Sequence, residues 1–220
     1  MLLWMLGCTE YELETVLRED AFEQRADAQV DWLVVVDDSG SMAPHQARLA
    51  EHFDTLVGEL VRLGVDVHLG VTTTDMAAQG GRLVGGVIDP TVFGAADRFA
   101  EAVQVSVEGS GLEMGVEASL AAVTEPNRSG ANAGFLRPDA SLAVLYVSDE
   151  DDVSPQPVGP SLDALRDAIA PRRRDAVTAH AWVVQDPEAC SDPAFVGSIG
   201  RRYLNLAERT GGTVVDLCAP

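Results

Sequence analysis

Asp31-Trp-Leu-Val-Val-Val-Asp37-Asp38-Ser39-Gly40-Ser41 decides how this chain folds. Trp32 to Val36 form an unbroken, β-branched apolar run, as in a strand buried on both faces. The run ends abruptly in oxygen-bearing side chains. Asp37, Ser39 and Ser41 stand at i, i+2 and i+4, in a turn that leads toward a helix.

Working outward, the pattern alternates between strand and helix. Residues 44–63 set Leu49, Phe53, Leu56, Val57, Leu60 and Leu63 at helical spacing, with Gly64 as the stop. Residues 65–74 read as a second strand and 80–88 as a short, glycine-rich antiparallel edge strand. Helices are expected at 97–104, 113–124, 161–170 and 198–210. Further strands are expected at 141–148, 177–184 and 213–217. The expectation is an α/β three-layer sandwich, with a mostly parallel central sheet and helices on both faces. Such sheets bind ligands beyond the C-terminal ends of their strands, where the strand order reverses. Asp37 follows the first strand, and Asp149-Glu150-Asp151-Asp152 follow the strand at 141–148.

The bulk numbers agree with one domain. Of 220 residues 46% are hydrophobic, enough for a buried core. The division read here is a leader at 1–8, an acidic tether at 9–28 and a domain at 29–220. The formal net charge is −20, and every basic residue is an arginine. So acidic a chain does not hold nucleic acid or an anionic membrane surface by charge. No stretch approaches the roughly 18–20 apolar residues of a membrane-spanning helix.

Asp37, Ser39 and Ser41 offer only oxygen. That selects a hard cation, Mg²⁺ with Mn²⁺ or Ca²⁺ as alternatives, over zinc. Two neutral hydroxyls leave such an ion under-neutralised and in want of an anionic ligand. The dipole of the following helix N-terminus acts in the same direction.

VVVDDSGSM resembles the metal-ion-dependent adhesion site of von Willebrand factor A domains, whose pattern is D-x-S-x-S at the end of the first strand. The resemblance covers residues 29–218 and implies a parallel, Rossmann-like α/β fold. It implies that Ser39 and Ser41 bind the metal directly, that Asp37 acts mostly through water, and that Asp149 completes the site. The family adds a threonine from a later loop. Its best match here is Ser110, in Glu108-Gly-Ser-Gly111, which keeps the hydroxyl and lacks the methyl. The implied partner is a protein that presents an Asp or Glu carboxylate to the cation. Asn132–Asp152 and His68–Met76 also resemble von Willebrand-type lipoproteins of predatory and soil-dwelling bacteria.

Met1 to Gly7 is a short apolar run ending at Cys8, similar to a bacterial lipobox, although no basic residue precedes it. The expectation is a signal peptide and a lipid anchor at Cys8. That places the domain in the bacterial cell envelope, at the outer membrane and facing either the periplasm or the surface. The other reading is an apolar start that packs on the domain. If the last two strands are parallel neighbours, as the resemblance implies, Cys190 and Cys218 lie at one end of the sheet. They then form either a disulfide, as in an oxidising compartment, or two independent thiols.

The remaining motifs carry less. Asp38, Glu150, Asp151 and Asp152 read as a solvated acidic rim or a second cation site. Asp75 reads as a turn or helix cap, or a residue that orients a metal ligand. Thr72, Thr73 and Thr74 read as strand residues, and His45, His52, His68 and His180 as structural. No D-x-D follows the first strand, no Walker loop or G-x-S-x-G elbow is present, and contiguous acids point apart. A non-catalytic adhesion or protein-binding domain is therefore expected. A metal-stabilised structural envelope domain is the alternative, followed by a metal-dependent hydrolase.

Overall fold

The computed structural model describes residues 29–52, 54–169, 177–190 and 197–219. The leader, the tether and Cys8 lie outside the described residues. Five strands form one parallel sheet: β1 (Gln29–Val36), β2 (Asp66–Thr73), β3 (Ser141–Ser148), β4 (Val177–Val183) and β5 (Val214–Asp216). Their order is β2-β1-β3-β4-β5. The chain steps from β1 to β2 on one side, then returns to place β3 on the other. The reversal lies between β1 and β3, so Asp37 and Asp149 leave neighbouring strands at the point expected to bind ligands.

Helices α1 (Ala43–Glu51) and α2 (Glu59–Arg62) connect β1 to β2. α3 (Ala95–Val103) and α4 (Gly115–Val123) precede β3, α5 (Val158–Ala168) precedes β4, and α6 (Arg201–Thr210) precedes β5. The apolar run of β1 divides by alternation. Leu33 and Val35 join a cluster with Val116 of α4, Leu165 of α5 and Tyr203 of α6. Val34 and Val36 join another with Leu49 of α1 and Phe99 of α3. All nine side chains are at most 2% exposed. Burial of each of the larger ones contributes about 1.5–3 kcal/mol.

Two expectations need correction. Residues 80–88 form no strand. Leu69 and Ile88 make one antiparallel bridge, and Val84 donates its N–H to the Val71 carbonyl. Gly80, Gly81, Gly85 and Gly86 all take positive φ, which a continuous strand does not accommodate. The single helix expected over 44–63 is broken. α1 ends at Glu51, a π-helical segment covers Asp54–Gly58, and α2 succeeds it. The wider turn inserts a residue and rotates the face presented by α2. Leu49 and Val57 stay buried, whereas Leu63 is 60% exposed. Phe53 and the side chain of Leu56 lie outside the described residues. The stop at Gly64 holds, with φ at +78°. The other element ends shift by a few residues.

At the N-terminal ends of the strands, Asp31 is fully buried. Arg137 meets it with its Nε at 2.7 Å and its backbone N–H at 2.6 Å, and also pairs with Asp66 at 2.7 Å. Burial raises the pKa of Asp31, and the Arg137 hydrogen bonds and charge oppose the rise. Cys190 and Cys218, just beyond β4 and β5, form a disulfide with a Cα separation of 4.6 Å. Among the described residues, no helix is long and apolar enough to cross a membrane.

Candidate metal centre

Strand pairing fixes Asp37 before its side chain acts. Its N–H donates to the Val147 carbonyl of β3 at 2.9 Å, and its own carbonyl accepts from Gln46 Nε2 of α1 at 3.0 Å. The buried carboxylate takes the Ser39 N–H on Oδ1 at 2.8 Å and the Ser148 hydroxyl on Oδ2 at 2.6 Å. The first of these is an Asx turn, which bends the chain immediately after the strand. A 3₁₀ turn, Gly40–Met42, then runs into α1 with Met42 fully buried beneath it. This turn brings the hydroxyls of Ser39 and Ser41 to 3.2 Å of each other, the first nearly buried and the second exposed.

Asp149 faces them from the end of β3. It is fully buried, and neither carboxylate oxygen has a hydrogen-bond partner. Its carbonyl accepts the Ser198 N–H at 2.8 Å, which holds the backbone in place. Burial pushes its pKa up to about 6. The nearby Ser41 hydroxyl, outside hydrogen-bonding geometry, opposes the rise, and the charge of Asp37 adds to it.

Ser110 is held by partners of its own. Its hydroxyl accepts the Leu112 N–H at 3.1 Å, and its N–H donates to Asp75 Oδ2 at 3.2 Å. Asp75 also caps the turn after β2, taking the N–H groups of Ala77 and Ala78 at 2.7 and 2.9 Å. The cap reading of Asp75 is therefore correct, and the same carboxylate positions the Ser110 loop.

Glu113 was not among the candidates read from the sequence. Sequence patterning made it merely the first residue of a helix, but it lies two positions ahead of α4 and is 1% exposed. Thr74 Oγ1 donates to its Oε2, and its Oε1 has no hydrogen-bond partner. Burial, then the charge of Asp37, raises its pKa to about 9, and Thr74 opposes the rise. The available signal was an acid in the apolar setting of Leu112, Met114 and Val116. Thr74 thus serves as a polar partner at the site as well as a residue at the end of β2.

Asp38 is also buried, with one carboxylate oxygen lacking a partner. Burial raises its pKa to about 6, the Thr73 hydroxyl opposes this, and the charge of Asp75 adds to it. Gly109 closes over it and donates its N–H to the Asp38 carbonyl at 2.9 Å. The acids after β3 diverge as their contiguity requires. Asp151 accepts the Arg202 N–H at 2.9 Å. Asp152 is buried, takes the Val116 N–H at 2.9 Å and pairs with Arg202 at 3.2 Å. Neither Asp38 nor Asp152 belongs to a solvated rim, because loops and helix starts cover them. His180 Nδ1 accepts the Thr213 N–H at 3.0 Å, a structural role.

Among the described residues, no three His, Cys, Asp or Glu side chains are gathered as a ready-made metal cage. A cation here would draw on hydroxyls as well as carboxylates. The all-oxygen donors and the unpartnered buried oxygens of Asp149 and Glu113 fit a hard divalent ion.

The sheet order and its flanking helices define an α/β domain built on a five-stranded parallel sheet. The solved structures similar to the chain include proximal thread matrix protein 1 from the mussel byssus. It is 18% identical with a TM-score of 0.54, over 86% of this chain and 43% of that one. A second crystal form of that protein gives 19% identity and a TM-score of 0.48, over 86% and 44%. A von Willebrand factor type A from Catenulispora acidiphila gives 17% and 0.49, over 86% and 38%. The chain spans less than half the length of each, and at these identities the likeness is one of fold. No protein-family model matches the sequence, and no curated protein matches it.

Proposed function

We propose that this domain binds a protein partner through a divalent cation, Mg²⁺ first and Mn²⁺ or Ca²⁺ next, held where β1 and β3 end. The observation that carries the reading is Asp149, whose two buried oxygens lack hydrogen-bond partners beside Asp37 and Ser41. Leaving a buried carboxylate so exposed to desolvation is costly, and a cation removes the cost. Ser39 and Ser41 supply neutral ligands, and Asp37 is held ready by Ser39 and Ser148. An ion ligated largely by hydroxyls accepts an Asp or Glu carboxylate from the partner. The framework is a three-layer sandwich, with α1 and α3 on one face and α4, α5 and α6 on the other. The alternation of β1 residues between two clusters supports this arrangement.

The domain acts in a bacterial envelope as a lipoprotein anchored at Cys8. The Cys190–Cys218 disulfide supports an oxidising compartment. We read its role as non-catalytic, because the contiguous acids after β3 diverge, with Asp151 and Asp152 both engaged by Arg202. Mass spectrometry of membrane-extracted protein tests the anchor, and an unmodified Met1 in the soluble fraction overturns it.

Calorimetric titration with Mg²⁺, followed by capture of envelope proteins with and without EDTA, tests the binding reading. Wild type is expected to bind the ion and capture a partner only when it is present, and Asp37→Ala to lose both. Capture that ignores EDTA, alongside a large metal-dependent rise in melting temperature, favours a metal-stabilised scaffold instead.

A further inference from the structure

We propose that Glu113, rather than Ser110, is the third-loop donor of the cation site, so that this position is a carboxylate instead of a hydroxyl. The inference rests on the metal reading above and concerns which residues make the site.

The backbone places Glu113 across the strand ends that flank β1. Its carbonyl accepts the Val153 N–H at 2.7 Å, from the loop after β3. The next residue, Met114, donates its N–H to the Thr74 carbonyl at 3.2 Å, at the end of β2. A residue tied on both sides is rigidly aimed. The side chain turns inward, where Thr74 holds Oε2 and Oε1 meets no donor. Asp37 lies beside it, so two carboxyl groups share a buried space. A merely structural glutamate in that position would be expected to have both oxygens bonded, as Asp152 does through Val116 and Ser154. A divalent ion against Asp37 and Glu113 satisfies the free oxygen and takes the place of the proton that Glu113 otherwise keeps beside Asp37. Ser110 is less suited to the role, because one lone pair of its hydroxyl already accepts the Leu112 N–H.

A donor carrying its own charge makes cation binding less dependent on the partner. The purified chain is expected to bind one Mn²⁺ alone, read by calorimetry and by the electron paramagnetic resonance of the bound ion. Glu113→Gln, nearly isosteric, should weaken that binding at least tenfold. Thr74→Val keeps the charge but unpins the carboxylate, and should weaken binding about threefold. Ser110→Ala should change it less than twofold. Melting curves in EDTA verify that each variant folds, and Thr74→Val carries the test if Glu113→Gln does not. Wild-type affinity in the Glu113 and Thr74 variants, or the loss appearing in Ser110→Ala, overturns this inference and leaves the metal site standing. Failure of wild type to bind any of Mg²⁺, Mn²⁺ or Ca²⁺ overturns the metal site itself.

Discussion

Ser148, the last residue of β3, donates its hydroxyl to Asp37 Oδ2 at 2.6 Å, so one strand of the switch point holds the carboxylate of the other. The same hydroxyl accepts the Glu150 N–H at 3.1 Å and thereby shapes the turn that carries Asp149. Ser148→Ala leaves a buried carboxylate with one hydrogen bond fewer. It should destabilise the domain by about 1.5–3 kcal/mol, the range for bonds to charged groups. Urea unfolding measures this, and an unchanged midpoint would show that the bond does not hold Asp37.

Stability should depend on pH in a defined direction. Asp38 and Asp149 titrate at about 6 and Glu113 at about 9 in the fold, above the ordinary carboxylate range of about 4. The folded chain therefore keeps protons that the unfolded chain has released. The stabilisation is complete below about pH 4 and is lost as pH rises through the folded values. His45 and His180, pushed down by burial, act in the opposite sense below about pH 6.5, so the clear window lies above neutrality. In EDTA the melting temperature should fall from pH 7 to 9.5 as Glu113 ionises, and a divalent cation should restore it. A flat profile would sink the expectation.

Gly109 has no room for a side chain. A Cβ there would stand 2.3 Å from Asp38 Cγ and 2.7 Å from the Asp38 carbonyl oxygen. The backbone contact leaves little scope for relief. Gly109→Ala should displace the 106–112 loop, lower stability by about 1–3 kcal/mol as overpacking does, and weaken cation binding. Normal thermal stability with normal metal affinity would show that the loop yields freely.

Arg137 is expected to be the main stabilising residue at the far end of the sheet. Arg137→Met would strip the guanidinium from fully buried Asp31, although the Arg137 backbone N–H remains. Removing one partner of a buried pair costs about 3–5 kcal/mol. Chemical denaturation should show that loss with cation affinity unaltered, because the pair lies at the opposite strand ends from Asp37.

The disulfide closes a sequence separation of 28 residues. In the chain-entropy treatment a loop of that size is worth about 3–4 kcal/mol. Cys190→Ser with Cys218→Ser should lower the unfolding midpoint accordingly, and reduction of wild type should match it. If the double variant melts like the oxidised protein, the crosslink adds nothing.

The sheet was legible in one dimension because buried parallel strands must be apolar throughout. Trp32–Val36 and Leu142–Val147 both announce themselves that way. The edge segment at 80–88 misled because its apolar residues suit a strand while its glycines take positive φ. The helix at 44–63 misled because spacing does not reveal a π-helical segment.

By itself, the sequence determined the strand that ends in Asp37, the turn carrying Ser39 and Ser41, and the second strand end at Asp149, all from local patterning. Tertiary structure decided what surrounds them. Glu113 lies far from Asp37 in sequence and reaches it only because β2 and β1 pair side by side and Met114 binds the end of β2. Ser110 is anchored from outside β1 and β3, its N–H on Asp75 and its hydroxyl under the Leu112 N–H. Spacing records neighbours along the chain, whereas burial and hydrogen bonding between distant loops select which oxygens face the site.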